Sequence, residues 1–259
     1  MFKNLIVSKE GGIATVQLNR PQKKNSLNTE VRRELEAAFR EIGEDSGVRA
    51  VIVTGGDEIF CAGADIGEIQ EAKSAKASYQ HAREFQTLFD QVEALPQPVV
   101  GAVSGYALGG GCELALACDF RIASETAKFG LPEIKIGAFP AGGGTQRLPR
   151  LIGAARAKEM IFFGDPIGAN EALACGLVSK VVAKEKLLAE AKAFATKLAA
   201  QPRLALETAK KLINRGPEMD IGAALELEAC GLGTLAGTHD LHEGTLAFLE
   251  KRKPNFTGT

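Results

Sequence analysis

Three consecutive glycines, Gly109, Gly110 and Gly111, stand just before Glu113 in the string GYALGGGCEL, and the apolar run Leu114-Ala115-Leu116-Ala117 follows at once. Glycine triplets cost backbone entropy and add nothing to a core. Here they mark the entrance of an apolar helix where something approaches the backbone closely. Such entrances commonly hold anions. A phosphate is a poor candidate. Gly105 and Gly110 have GxxxxG spacing, but Gly111 and Cys112 stand where the phosphate lysine and the magnesium hydroxyl belong. Read as a dinucleotide fingerprint from Gly109, the string fails because Leu114 replaces the third glycine. Glu113 would also repel a phosphate. A transient anion fits better: a carbonyl oxygen docked on the free N–H groups of the helix N-terminus and stabilised as it becomes an enolate. One donor of this kind is worth about 2.7–4 kcal/mol in a transition state.

A second donor and a second carboxylate complete a possible site. Ala64 lies in FCAGAD, shortly after the apolar strand RAVIVTGG. Glu133 lies in FGLPE, where Pro132 fixes the local backbone. Two carboxylates around one substrate carbon suit the addition or removal of water, one activating the water and the other delivering a proton. GGGTQRL (142–148) opens another helix through glycines and either walls the pocket or packs closely. Each residue has a plainer reading on its own. A first-turn glutamate such as Glu113 usually only complements the helix dipole. Glu133 alone is a surface loop residue and Ala64 alone a turn residue. Asp65 reads first as a cap for the following helix. His81, His239 and His242 lack the spacing of a triad or metal site and read as surface or helix residues.

The elements that must position these groups follow an α/β rhythm. Strands are expected at Ile13–Leu18, Arg49–Thr54, Pro98–Val103 and Phe120–Ala123. Helical spacing links Val31, Leu35, Ala38, Phe39 and Ile42, and again Phe85, Leu88, Phe89 and Val92. Strand, strand, helix recurs, with strands of the type buried on both faces. After about residue 185 strand signals vanish, and helices are expected over Leu187–Ala200, Arg203–Asn214, Glu218–Leu235 and Asp240–Lys251. This helical appendage either covers a site or builds an oligomer.

Composition excludes several classes. The 259 residues are 45% hydrophobic and 24% charged, and 31 Lys plus Arg against 32 Asp plus Glu leave a net charge of −1. That balance argues against general nucleic-acid binding. The N-terminus is too charged for a signal peptide, and no run reaches the roughly 18 apolar residues of a membrane span. Cys61, Cys112, Cys118, Cys175 and Cys230 are scattered, odd in number and free of a CxxC pair, as in reduced cytoplasmic proteins without a zinc site. Cys112 and Cys118 read as core fillers.

The strings NRPQKKNSLN, FCAGADI, GYALGGGCELALACD, AKFGLPEIKIG, GGGTQRL, ANEALACGLVSKVV and AFLEKRKPNF occur in one order across nearly the whole chain. In these the chain resembles the crotonase (enoyl-CoA hydratase/isomerase) superfamily, within it the short-chain enoyl-CoA hydratases. The resemblance implies an α/β spiral of repeated β-β-α units. Residues 1–195 would form the core with the active site, and 196–259 a helical region that drives assembly into trimers or hexamers. It implies a coenzyme A thioester as substrate and no metal or redox cofactor. The backbone N–H groups of Ala64 and Gly110 match the family's oxyanion hole. Glu113 matches the base that activates water, and Glu133 the donor of the proton to the α-carbon. Asp65 and Ile66 match the segment beside the CoA adenine. Phe248 and Lys251 match tail residues that reach CoA from a neighbouring subunit, and Lys23 or Lys24 would meet phosphates from the other side.

The chain also departs from the family pattern. Ala236 stands where hydratases commonly carry a phenylalanine, and Gly137-Ala138-Phe139-Pro140 replaces a more usual glycine, β-branched residue, proline arrangement. Both departures bear on acyl-chain preference. Three alternatives stay in view. An isomerase typically needs only one of the two carboxylates. Another crotonase-type acyl-CoA lyase would keep the same fold. The RNA-binding crotonase relative uses a lysine-rich helix, whereas EAKSAKASYQHAREFQ here offers only Lys73, Lys76 and Arg83, interrupted by Glu71 and Glu84.

Overall fold

Strands β1 (Leu5–Glu10) and β2 (Ile13–Leu18) pair as an antiparallel hairpin. Gly11 and Gly12 connect them, both at positive φ (57° and 77°), the geometry a two-residue hairpin turn of this hand requires. This computed structural model describes residues 2–71 and 73–259. Helix α1 (Thr29–Glu44) follows, its start set by Asn28, whose side chain accepts the Val31 N–H at 3.0 Å. Next come β3 (Ala50–Thr54), α2 (Ile66–Glu71), α3 (Ala75–Glu93), β4 (Val99–Val103), β5 (Tyr106–Leu108) and α4 (Gly110–Ala117). The chain continues through β6 (Phe120–Ser124), β7 (Lys128–Gly130), α5 (Gly144–Ile152), α6 (Ala154–Phe163), β8 (Ile167–Gly168), α7 (Ala169–Ala174), β9 (Lys180–Val182) and α8 (Leu187–Ala199). Helices α9 (Arg203–Arg215), α10 (Ile221–Leu235) and α11 (His239–Leu249) close it.

One sheet runs β1-β2-β3-β4-β6-β9, parallel from β2 onward. Its central strands AVIVT and VVGAV are buried at every position because both faces are covered. Their side chains alternate between two clusters. Val51, Val53, Val99 and Val103 join the large core with α1, α3 and α4, and Ala50, Ile52, Val100 and Ala102 pack under Leu187, Ala191 and Ala195 of α8. A second layer contains β5-β7-β8 and is extended by isolated bridges between Leu27 and Ala64 and between Cys61 and Ala107. The chain therefore repeats one course: a strand in the large sheet, a short extended piece in the second layer, then a helix. β4-β5-α4 is the clearest turn of this α/β spiral, and the expected β-β-α rhythm is the one observed.

The C-terminal helices differ from expectation mainly at their ends. α10 begins at Ile221 and not at 218, because Gly216–Glu218 forms a 3₁₀ turn and Asp220 caps the helix by accepting the Gly222 N–H at 2.9 Å. α11 ends at Leu249, two residues short of Lys251, which takes a left-handed φ of 55°. α9 and α10 bury none of their residues, and Ile213, Ile221, Leu225 and Leu232 stand exposed. α9 is tied to the core by Lys210, which donates to Asp119 at 2.7 Å and to the Gln97 carbonyl at 3.1 Å.

Candidate active site

Helix α4 begins at Gly110, so the N–H groups of its first turn have no helical acceptor. The turn is buried: Gly110, Gly111, Cys112 and Glu113 are all inside. Close approach explains the glycines. A methyl group on Gly111 would come within 2.2 Å of the Cys61 carbonyl oxygen, so the 61–65 segment lies directly against the helix entrance. Gly109, at φ 52°, turns the chain from β5 into the helix and lies under Glu133, whose Oε1 would be 3.2 Å from a methyl group there.

The neighbouring segment is hung on the loop after β2. The Ala62 N–H donates to Lys24, the Leu27 N–H to the Gly63 carbonyl and the Asp65 N–H to Leu27. This parallel bridge uses the groups on either side of Ala64 and leaves its own N–H unused. Among the described residues neither the Ala64 nor the Gly110 N–H donates to any acceptor. A methyl group on Gly110 would lie 3.4 Å from the Ala64 nitrogen, so the two donors are close neighbours. Asn25 fixes the approach. Buried and at φ 56°, its Nδ2 contacts the Gly55, Ile59 and Phe60 carbonyls at 3.0, 2.8 and 3.2 Å.

Glu113 is 4% exposed, and its Oε1 accepts the Gly144 N–H at 2.8 Å. Burial pushes its carboxyl up, while the N–H groups of Gly144 and Gly142 and the positive charge of Arg147 pull the other way. Glu133 sits in the 3₁₀ turn Pro132–Ile136 that follows β7. Its Oε2 is buried with no hydrogen-bond partner among the described residues. Burial, and then repulsion from Glu113, push Glu133 up to about 7. The two carboxylates are thus unlike: Glu113 is held by backbone N–H groups of a neighbouring turn, whereas Glu133 has only its own backbone N–H and keeps an inner oxygen with no donor. Phe85 and Phe89 of α3, with ring centroids 5.7 Å apart, line the space beside them, Phe85 against Gly110 and Phe89 against Gly142.

The fold therefore brings Ala64, Gly110, Glu113 and Glu133 together. Asp65 adjoins them and is engaged twice. One oxygen accepts from Arg20 at 3.1 Å and the other caps α2 through the Gly67 N–H at 3.2 Å. Ile66, 61% exposed, starts that helix, and exposed Lys24 lies at the rail holding Ala62. Phe248, 83% exposed, lines a groove of about 480 Å³ with residues such as Leu204, Leu241 and Phe256. No hydrogen bond or ion pair among the described residues links Phe248 or Lys251 to the glutamate pair. Ala236 caps α10, and Phe139, in the departing Gly137–Pro140 stretch, is exposed. His81 lies on α3, half-buried, edge-on to Phe85 at 5.1 Å. Asn25, Gln86 and Arg147, which hold the site's loops, went unnoticed in the sequence because their partners are tens of residues away. Among the described residues no group of three or more His, Cys, Asp or Glu is placed to hold a metal ion, and no helix is long and apolar enough to cross a membrane.

Comparison with known proteins matches the enoyl-CoA hydratase/isomerase family over residues 8–259. The chain is 45% identical over 260 residues to a crotonyl-CoA hydratase of Syntrophomonas wolfei, covering 98% of each sequence. It is 45% identical over 257 residues to a short-chain-enoyl-CoA hydratase of Clostridium acetobutylicum, covering 97% of each. Among solved structures, an enoyl-CoA hydratase from Bacillus anthracis superimposes with a TM-score of 0.94 at 41% identity, covering 99% of this chain and 100% of that one.

Proposed function

The chain belongs to the enoyl-CoA hydratase/isomerase family, and we propose from that premise that it adds water reversibly across the 2,3 double bond of a trans-2-enoyl-CoA, giving a 3-hydroxyacyl-CoA. The observation that carries this reading is the unlike carboxylate pair beside two free backbone donors. The thioester oxygen accepts from the Ala64 and Gly110 N–H groups. Glu113, its carboxylate accepting the Gly144 N–H, takes a proton from water as the water oxygen bonds to C3. The π electrons move onto the thioester oxygen as an enolate, which the two N–H groups stabilise. Glu133, the carboxyl on which a proton costs least, gives its proton to C2 as the enolate collapses. Return of a proton from Glu113 to Glu133 resets the pair.

Coenzyme A enters as part of the substrate, and the reaction takes neither metal nor redox cofactor. Asp65, Ile66 and Lys24, around the mouth next to Ala64, are the proposed contacts to CoA, with Phe248 and Lys251 supplied by a second copy. The uncovered apolar residues of α9 and α10 support assembly into a trimer or a dimer of trimers. The protein acts in the cytoplasm. The decisive test follows the loss of conjugated enoyl-thioester absorbance over a chain-length series from crotonyl-CoA upward. Loss at some length is the expected result, and no loss at any length overturns the reading. A Glu113→Gln variant that still adds water at the full rate would overturn the assignment of Glu113 as the base.

A further inference from the structure

Glu113 does not hold its own position. Its partner, the Gly144 N–H, opens α5 at the end of a glycine turn, and the fit is close. A methyl group on Gly142 would fall 2.6 Å from Glu113 Oε2, and one on Gly144 3.0 Å from Oε1. That turn is tied to α3 from outside. Arg147 donates to the Gly142 carbonyl at 3.2 Å through Nη1, to Glu93 at 2.7 Å through Nε and to Asp90 at 2.6 Å through Nη2. Its side chain is mostly buried over Gly143. Gln86 of α3 adds a neutral tie, donating to the Ala141 carbonyl at 2.7 Å.

We propose that Arg147 is the positioning residue of Glu113: its guanidinium clamps the Ala141–Gly144 turn to α3 and thereby keeps the Gly144 N–H on the carboxylate. The proposal rests on the hydratase reading and names a residue that never touches substrate. Three of the guanidinium's nitrogens are used in three directions, which a lysine ammonium on a flexible stem does not reproduce. The titratable groups facing Glu113 are Glu133 from the 3₁₀ turn, Cys112 on its own helix and Arg147 from α5, with Asp90 and Glu93 of α3 behind the guanidinium. Arg147 is the cation among them, so it also favours the ionised carboxylate.

The test has two independent arms on the full-length protein. In the first, glutamate carboxyl carbons are labelled with ¹³C and the Glu113 resonance, assigned by its loss in Glu113→Gln, is titrated. Arg147→Gln should raise its midpoint by about one unit, and Arg147→Lys should restore only part of that shift, since the charge returns without the clamp on the Gly144 N–H. In the second arm, with crotonyl-CoA, Arg147→Gln should lower kcat about 100-fold with KM changed less than about threefold. Arg147→Lys should recover no more than about a tenth of the wild-type kcat, since the charge returns without the fork. Unchanged midpoint and kcat in folded Arg147→Gln overturn the proposal, as does a loss of kcat that only tracks the fraction folded by thermal unfolding. Should that variant not fold, the Asp90→Asn, Glu93→Gln double variant releases the guanidinium and must show the same kcat loss. If the wild-type enzyme hydrates nothing, the hydratase reading falls while the titration still decides the Arg147 assignment.

Discussion

Glu113 and Glu133 enter one space from unlike supports. Glu113 stands in the first turn of a helix, buried, with a backbone N–H on its carboxylate and a cation behind the turn that supplies it. Glu133 rises from a 3₁₀ turn, and its inner oxygen meets no donor. Burial pushes both up; the Gly144 and Gly142 N–H groups and Arg147 pull Glu113 back, while repulsion from Glu113 lifts Glu133 further. The comparison teaches that a single desolvated pocket can keep a base and an acid side by side when its hydrogen bonds are distributed unevenly.

The largest test removes one side of the pair. Glu113→Gln should lower kcat for hydration by about 10³–10⁴, measured from enoyl-thioester absorbance in protein whose unfolding transition is intact. Next is the oxyanion donor that the pair surrounds. Proline is tolerated at the first position of a helix yet lacks an N–H, so Gly110→Pro should cost about 10²–10³ in kcat. Gly110→Ala, which adds only a methyl group near Phe85, should cost far less in the same assay and separates the lost donor from crowding.

A smaller effect concerns pH. Hydration draws on the Glu133 proton, so kcat/KM should fall as pH rises through about 7, an apparent value belonging to the coupled pair. In the residual activity of Glu133→Gln that limb should vanish, and a limb that persists would show the two glutamates are not divided as described. The smallest effect is on stability. Glu133 rises from an ordinary 4.5 to about 7 on folding. Below 4.5 both states hold the proton and nothing is gained or lost. Between the two values the native state keeps a proton that the unfolded chain has released, so stability falls as pH rises, and above 7 the loss is complete. Glu133→Gln should therefore be more stable than the wild type by about 2 kcal/mol at pH 8.5 and equal to it near pH 4.5, by chemical denaturation.

What was legible followed from local geometry. Helix entrances, caps and buried strands are written in neighbouring residues, and so GYALGGGCEL could be read as an oxyanion-binding turn. The unbroken apolar runs AVIVT and VVGAV point to a sheet covered on both faces. Ala64 was legible only through resemblance, because the direction of its N–H depends on pairing with Leu27, far away in sequence. The start of α10 at Ile221 is not legible in the pattern, because Glu218 continues the helical spacing while the Asp220 cap restarts the helix.

By itself, then, the sequence determined the α/β class, free donors at the entrance of the GGG helix, the presence of two carboxylates and the absence of phosphate-loop chemistry, since each depends on residue type and short spacing. Only the tertiary structure decided that Glu113 is solvated by Gly144 while Glu133 keeps an inner oxygen with no donor, and that Arg147, Gln86 and Asn25 hold the loops. The reason is physical. A carboxylate's proton affinity is set by the donors and charges that folding brings within a few ångströms, and here those come from other turns of the spiral.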